Sequence, residues 1–222
     1  QSYYYHRCGT PVDNGTKWHY EMCHLKDAPF YGAHHRHKDV TGGWHDAGDY
    51  NKFSVNTSLT AALLLYSFQA SNGLFRDGQL NIAEANNGIP DILDEVKWGI
   101  DWLLKMQGED GGVYHKVSQK RWIGEYLPHT DPSERYLFNV TSAATASFAA
   151  TAALASIHFE PFDSEYALQL LNAAERAWSY LVLHPDDVPQ GGFKNPPDVR
   201  GGEYGDVDDI DERLWAAVEL YR

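Results

Sequence analysis

Long runs in which apolar residues recur every three to four positions dominate this sequence, and they commit most of it to helices. PDILDEVKWGIDWLLKMQ (90–107) is the clearest: Pro90 and early acids open it, and Ile92, Leu93, Val96, Ile100, Leu103 and Leu104 fall at helical spacing. SVNTSLTAALLLYSFQA (54–70) is apolar nearly all round, the pattern of a buried helix, with Ser54 or Asn56 as candidate cap. VTSAATASFAATAALASI (140–157) is rich in Ala, Ser and Thr, small enough for close approach, and suits an inner position between other helices. DSEYALQLLNAAERAWSYLVLH (163–184) has Asp163 or Ser164 as cap and stops at His184 before Pro185. DIDERLWAAVELYR (209–222) runs in helical register to the final residue without Gly, Pro or a cap, so a chain cut within an element is expected. No series with period two is visible beyond short pieces such as GVYHKV. These features predict an all-α array of helical hairpins in which the loops carry function. About five helices make only part of a closed ring, an incomplete toroid.

Residues 1 to 53 differ from the rest. They are dense in Gly, His, Asp and aromatics and show neither helical nor alternating periodicity, so something besides a core must hold them. Cys8, Cys23, His24 and His45 lie in this segment. Zinc takes thiolate and imidazole in a closed four-ligand shell and can tie down an irregular chain. The spacing is not that of a zinc finger, and His6, His19, His34, His35, His37 and His115 are also present. A Cys8 to Cys23 disulfide, or two unrelated buried thiols, are the alternatives.

At 222 residues one domain is expected. The net charge of -13, with no Lys/Arg run, argues against nucleic acid and anionic membrane as partners. Aromatic residues form 14% of the chain, which suits stacking on flat apolar faces such as sugar rings. The apolar runs are too short to span a bilayer, and the first residues have no signal-peptide architecture. Asn-x-Ser/Thr triplets at Asn14, Asn56 and Asn139 occur at chance frequency. Phosphate loops, nucleophile elbows and H-E-x-x-H are lacking, so nucleotide, serine-hydrolase and zinc-protease chemistry lose their anchors.

Two acidic features remain. GEYGDVDDIDER (202–213) gathers Asp206, Asp208, Asp209, Asp211 and Glu212, either a calcium loop or an acid-rich helix start that favours the macrodipole. GGWHDAGDYNKF (42–53) places Asp46 and Asp49 three residues apart among glycines and aromatics. A glycosidase needs two carboxyl groups facing each other across the bond, about 5 Å apart for retention and ~6.5 to 9.5 Å for inversion. Two acids in one turn lie on the same side of a substrate, so they can share the holding and deprotonation of a water but cannot be both acid and base. The bland reading makes them turn formers or a cap box for the helix at Ser54.

GGWHDAGDYNKF, PDILDEVKWGIDWLLKMQ, DGGVYHKV, YLFNVTSAATASFAA and GEYGDVDDIDERLWAAVEL, in this order, resemble glycoside hydrolase family 9, endoglucanases with a six-hairpin (α/α)6 barrel. The resemblance covers nearly the whole chain. It implies Asp49 as the base, Asp46 as the second aspartate on the same water, and hydrolysis of β-1,4-glucans with inversion. It implies structural zinc on Cys8, Cys23, His24 and His45, as in a bacterial branch whose catalytic domain follows an immunoglobulin-like domain. It also implies calcium on Asp208, Asp211 and Glu212. Trp44 and Tyr50 are the aromatic candidates for sugar contact. The family's general acid is a glutamate near the C-terminus. Glu203, Glu212 and Glu219 do not match its motif, so residues 1–222 are expected to be the N-terminal portion of one catalytic domain, inactive alone. A secreted or periplasmic bacterial enzyme is implied. A non-catalytic carbohydrate-binding helical module, and an exo-acting oligosaccharide or amino-sugar hydrolase of the same fold, are the competing readings.

Overall fold

The computed structural model describes residues 1–222 apart from Asn14, Thr16 and Trp18, so the triplet at Asn14 lies outside the described residues. Among the described residues the chain forms five α-helices: α1 (Ser54–Ala70), α2 (Asp91–Met106), α3 (Ser142–Phe159), α4 (Ser164–Leu183) and α5 (Ile210–Tyr221). All five segments expected from periodicity are helices.

Helix α3 is the hub. It packs against α1, α4 and α5 and touches α2, and sixteen of its eighteen residues are buried. Its Ala, Ser and Thr side chains allow this close approach on every side. The Thr151 hydroxyl donates to the Ser58 carbonyl of α1 across the contact (3.0 Å). A second apolar cluster joins α1, α2, α3 and α4 through Leu65, Leu93, Ile100, Leu154, Phe159 and Leu170.

The helix starts follow two patterns. Asp163 caps α4 by accepting from the Tyr166 N–H (2.9 Å). Thr141 caps α3 by accepting from the Ala144 N–H (3.2 Å), while Val140 and Thr141 form a strand instead of the helix's first turn. Neither Ser54 nor Asn56 caps α1, contrary to expectation. Its N-cap position is Phe53, reached directly from a strand, with no side-chain cap. The Ser54 hydroxyl donates instead to the Tyr114 carbonyl (2.6 Å), and Asn56 is drawn to Asp46.

Seven short strands supplement the helical framework: β1 (Pro29–Phe30), β2 (Ala33–His37), β3 (Lys52–Phe53), β4 (Val113–Tyr114), β5 (Lys116–Gln119), β6 (Arg135–Leu137) and β7 (Val140–Thr141). Five of them form a sheet in the order β2-β1-β6-β5-β3, and β4 pairs with β7. With two to five residues each, they are too short to carry a legible alternation. They fix the loops: β3 pairs antiparallel with β5 and leads from residues 42–51 into α1.

Gly99 of α2 marks where the N-terminal segment meets the helices. A Cβ there would lie 2.4 to 2.5 Å from the outer ring atoms of Trp44. That ring is buried and its indole N–H donates to Glu95 Oε1 (2.7 Å), so it cannot swing away freely. Alanine at a helix interior gains about 1 kcal/mol over glycine, whereas overpacking costs roughly 1 to 3 kcal/mol. We expect Gly99→Ala to lower the thermal transition by a few degrees; a rise on thermal denaturation would show that Trp44 yields at little cost.

Candidate active site and metal cluster

Residues 46 to 51 form the turn that precedes β3. The Tyr50 N–H donates to the Ala47 carbonyl (3.0 Å), and the Asp46 N–H donates to the Asn51 carbonyl (2.8 Å). Tyr50 takes a left-handed backbone, φ +57°, unusual for a side chain of that bulk. Partners outside the turn hold it there. Arg135 Nη1 donates to the Tyr50 carbonyl, the Tyr50 hydroxyl donates to the Tyr126 carbonyl, and Gln119 Nε2 donates to the Asp49 carbonyl (2.8 Å).

A buried charged group supports the same turn. Asp27 accepts from Arg135 Nε (3.1 Å) and Nη2 (2.5 Å) and pairs with Lys52 Nζ (2.9 Å). Lys52 Nζ also donates to the carbonyls of Val40 (2.9 Å) and Gly42 (2.8 Å). All three side chains are buried, and removing one partner of such a group typically costs about 3 to 5 kcal/mol.

The two carboxylates emerge on the open side. Asp46 is exposed at the rim of a hollow of about 270 Å³ and accepts from Asn56 Nδ2 (2.8 Å) and the Tyr204 hydroxyl (3.0 Å). Asp49 is half-buried and accepts from Asn51 Nδ2 (2.6 Å) and, more weakly, the Asn51 N–H (3.3 Å). The second of these is the turn-forming contact of the bland reading. Neither aspartate caps the backbone of α1.

Tyr204 arrives from 158 residues away because β5 grips its loop. Lys116 Nζ donates to Asn195 Oδ1 (2.6 Å) and the Gly202 carbonyl (2.6 Å), and the His115 Nε2–H donates to the Glu203 carbonyl (2.8 Å). Burial pushes His115 down to about 4 and Lys116 down to about 8. His115 is therefore neutral, with Nδ1 left to accept from the Thr141 hydroxyl (3.1 Å).

Trp44 lines the hollow at Asp46 and Tyr50 lines a neighbouring one, but both rings are packed against protein over much of their surface. Trp44 is 5% exposed, with Tyr3 against its ring and Glu95 on its nitrogen. The Tyr50 ring packs on His24 and His45. The exposed rings near the turn are Tyr204 and Tyr126, with Trp122 on the Tyr126 loop.

Cys8, Cys23, His24 and His45 converge, and among the described residues they are the one group of three or more such side chains whose donor atoms do so. The donor atoms all lie within 4.8 Å of one another. His45 Nε2 is 3.3 Å from His24 Nδ1; Cys8 Sγ is 3.7 Å from His24 Nδ1 and Cys23 Sγ 3.7 Å from His45 Nε2. A tetrahedron with metal–nitrogen bonds of about 2.0 Å and metal–sulfur bonds of about 2.3 Å has edges of roughly 3.3 to 3.8 Å. The donor set therefore fits one four-coordinate ion. No disulfide joins the two cysteines.

Local backbone explains how neighbours in sequence share one point. His24 has φ +53°, which turns its side chain to the same side as Cys23. Cys8 N–H donates to the Gly43 carbonyl (2.8 Å) and His45 N–H to the His6 carbonyl (2.8 Å), laying the first residues along the approach to Asp46. Burial pushes His45 down to about 4, so its imidazole is neutral, as ligation requires. Burial opposes ionisation of Cys8, but the hydrogen bond from Cys23 and the Lys52 ammonium draw its thiol well below the ordinary range. The far nitrogen of His24 meets Asp131 Oδ2 (3.4 Å), which orients the ring. Asp131 lies 107 residues from His24, and no sequence signal marks the pair.

The acids at 206 to 212 are less gathered. Asp206 Oδ1 accepts from the Asp208 N–H (3.3 Å), Asp208 Oδ1 from the Ile210 N–H (3.1 Å), and Asp209 is paired with Arg213 (2.6 Å). Asp208 and Asp211 are exposed. Glu212 differs: its Oε2 is buried without a hydrogen-bond partner, and burial, with Asp211 and Asp206 nearby, pushes it up to about 7.

A helical framework, a pair of turn aspartates and a convergent Cys/His cluster together point to the class of the chain. The profile of Glycosyl hydrolase family 9 matches residues 1–222, and the chain belongs to that family. Endoglucanase D of Acetivibrio thermocellus is 41% identical over 97% of this chain, which spans 35% of that relative's length. A metagenome-derived family 9 endoglucanase superposes with a TM-score of 0.92 at 41% identity, over 99% of this chain and 41% of that one. A Zn-binding triple mutant of the family 9 endoglucanase J30 gives 0.89 at 37% identity, over 100% of this chain and 43% of that one. The five helices are thus part of an (α/α)6 barrel, as expected.

Proposed function

We propose that this chain carries the base of a hydrolase that cleaves β-1,4-glucosidic bonds in cellulose or related β-glucans with inversion. The observation that carries it is the pair of turn carboxylates, Asp49 anchored by Asn51, and Asp46 anchored by Asn56 and Tyr204 on the rim of an open hollow. Asp49 takes the proton of the attacking water and Asp46 orients that water. The acid on the opposite face is assigned to a part of the protein outside these 222 residues. A general acid needs a raised pKa, whereas the Asn195 N–H on its carboxylate holds Glu203 below its ordinary range. Glu219 is buried against Tyr66 and Arg222. Glu212 sits in the first turn of α5 beside Asp211 and Asp206, and its unpartnered oxygen is assigned below to a cation. Tyr204, Tyr126 and Trp122 join Trp44 and Tyr50 as candidate sugar-facing rings.

Inversion is directly observable. Proton NMR of cellopentaose hydrolysed by the full-length protein should record the α-anomer first, with the β-anomer growing in by mutarotation. A β-anomer formed first would refute a water-activating role for Asp49 in single displacement. Because a glucan polymer cannot cross a membrane, the enzyme is assigned to the cell exterior or periplasm.

We infer zinc for the Cys/His cluster: two thiolates and two neutral imidazoles in a closed shell suit it, and a triple mutant of a relative with the same fold is described as Zn-binding. We infer calcium for the loop before α5, with Asp208, Asp211 and Glu212 as side-chain ligands. The unpartnered Oε2 of Glu212 supports this reading. Removing calcium with EGTA, with zinc content followed by elemental analysis, should lower the thermal transition by several degrees. An unchanged transition would end the calcium assignment.

A further inference from the structure

Asn51 is fully buried, touches both aspartates of the turn and belongs to neither the metal cluster nor the set of exposed carboxylates. Its backbone carbonyl accepts from the Asp46 N–H (2.8 Å). Its side-chain Oδ1 accepts from the Gln119 N–H of β5 (2.9 Å). Its Nδ2 donates to Asp49 Oδ2 (2.6 Å). The amide can adopt only one orientation, because a backbone N–H must face the oxygen and a carboxylate must face the nitrogen. Gly201 leaves the space this requires: a Cβ there would stand 3.1 Å from Asn51 Nδ2.

We propose that Asn51 is the positioning residue for the hydrolytic water: it anchors Asp49 Oδ2 to the sheet (2.6 Å), leaves Oδ1 with only a long contact from the Asn51 backbone N–H (3.3 Å) and so able to take a proton, and sets Asp46 at a fixed offset. The inference rests on Asp49 being the base. An anchored oxygen cannot rotate into the water's place, so the carboxylate meets the water with one oxygen in one direction. Gln119 completes the clamp, since its Nε2 donates to the Asp49 carbonyl while its backbone N–H holds Asn51.

The charged and titratable groups that face Asp49 are Asp46 on the same turn, Lys116 from β5 and Tyr204 from the loop before α5. Arg135 from β6 reaches the turn at the Tyr50 carbonyl. These groups stay in place in an Asn51 variant, so a change in the acid limb of the rate profile reports what faces Asp49 in place of the Asn51 donor.

The test uses the full-length protein with soluble carboxymethylcellulose, measuring kcat and KM from pH 4 to 9 and the thermal transition. Asn51→Asp keeps the shape and the acceptor for Gln119 but turns an oxygen towards Asp49. It should move the acid limb of kcat upward by about one pH unit or more, since a hydrogen bond to the charged form is replaced by repulsion. Asn51→Ala should lower kcat about 10- to 100-fold with KM within about twofold, as expected for a lost transition-state interaction. If Asn51→Ala does not fold, Asn51→Asp decides alone. An unmoved acid limb overturns the proposal, whether kcat and KM are unchanged or fall together with the thermal transition. Asp49→Asn run in parallel separates the two readings. An active Asp49→Asn protein overturns Asp49 as base, whereas an inactive one beside Asn51 variants with an unmoved acid limb overturns only the role of Asn51.

Discussion

Asp49→Asn in the full-length protein is expected to abolish hydrolysis of soluble carboxymethylcellulose while leaving the protein folded. The change removes one negative charge and almost no volume. The oxygen that faces Asn51 Nδ2 (2.6 Å) is retained if the new amide turns its carbonyl that way, so the turn keeps its partner. Its backbone remains held by Gln119 and Arg135. The amide nitrogen then occupies the position from which a proton must be taken, and an amide cannot take it. General base catalysis is commonly worth about 10²- to 10⁴-fold, and the loss should fall in kcat, with KM little changed. The thermal transition should move by no more than about 2 °C, as for a half-buried change that keeps its short hydrogen bond and gives up only the long one from the Asn51 N–H. Retained hydrolysis would end the assignment of Asp49. Glucan binding without hydrolysis by the unmutated full-length protein would instead favour a non-catalytic carbohydrate-binding module.

That result depends on geometry only partly legible in the sequence. The helices were legible because α2 and α4 repeat an apolar spacing of 3.6 over more than four turns, and α1 and α3 are long runs of apolar or small residues without Gly or Pro. The strands were not, because pieces such as Lys52–Phe53 and Val140–Thr141 contain no complete alternation. The Cys/His cluster was legible as a chemical type, thiols and imidazoles in a segment without helical or alternating periodicity. The left-handed backbone at His24 that makes adjacent ligands possible is a tertiary outcome. Tyr204 on Asp46 and Asp131 on His24 join positions 158 and 107 residues apart, and their own surroundings in sequence carry no mark of it.

The surroundings of the aromatics were not legible for a related reason. Trp44 and Tyr50 flank the aspartates in sequence, yet the same turn that lifts two carboxylates outward directs these rings inward. Trp44 fills the space above Gly99, and Tyr50 covers the imidazoles of His24 and His45. A tight turn alternates what it buries and what it exposes, so proximity in sequence to a functional acid is weak evidence of contact with its ligand.

Cys23→Ser is expected to have the widest effect of any single change outside the turn. Elemental analysis of the intact protein should give about one zinc per chain, and the variant should lose it, since a serine hydroxyl is a poor zinc ligand beside a thiolate. Structural zinc contributes to folding directly, with apparent binding energies of about 10 to 16 kcal/mol in zinc-finger peptides at neutral pH. Here the hydrogen bonds of Cys8 to Gly43 and of His45 to His6, with the buried Asp27, Lys52 and Arg135 group, hold part of the segment without the ion. The loss should therefore be smaller, several kcal/mol, and a drop of that size moves the transition of a domain this large by more than about 5 °C. Activity should fall too, because His45 immediately precedes Asp46 and Tyr50 rests on both imidazoles. The fall should lie mainly in kcat, since a loosened turn misplaces the water without removing any sugar contact. A native protein that carries no metal and holds a Cys8 to Cys23 disulfide would refute the assignment, and with it the idea that a metal ion fixes the turn of Asp46 and Asp49.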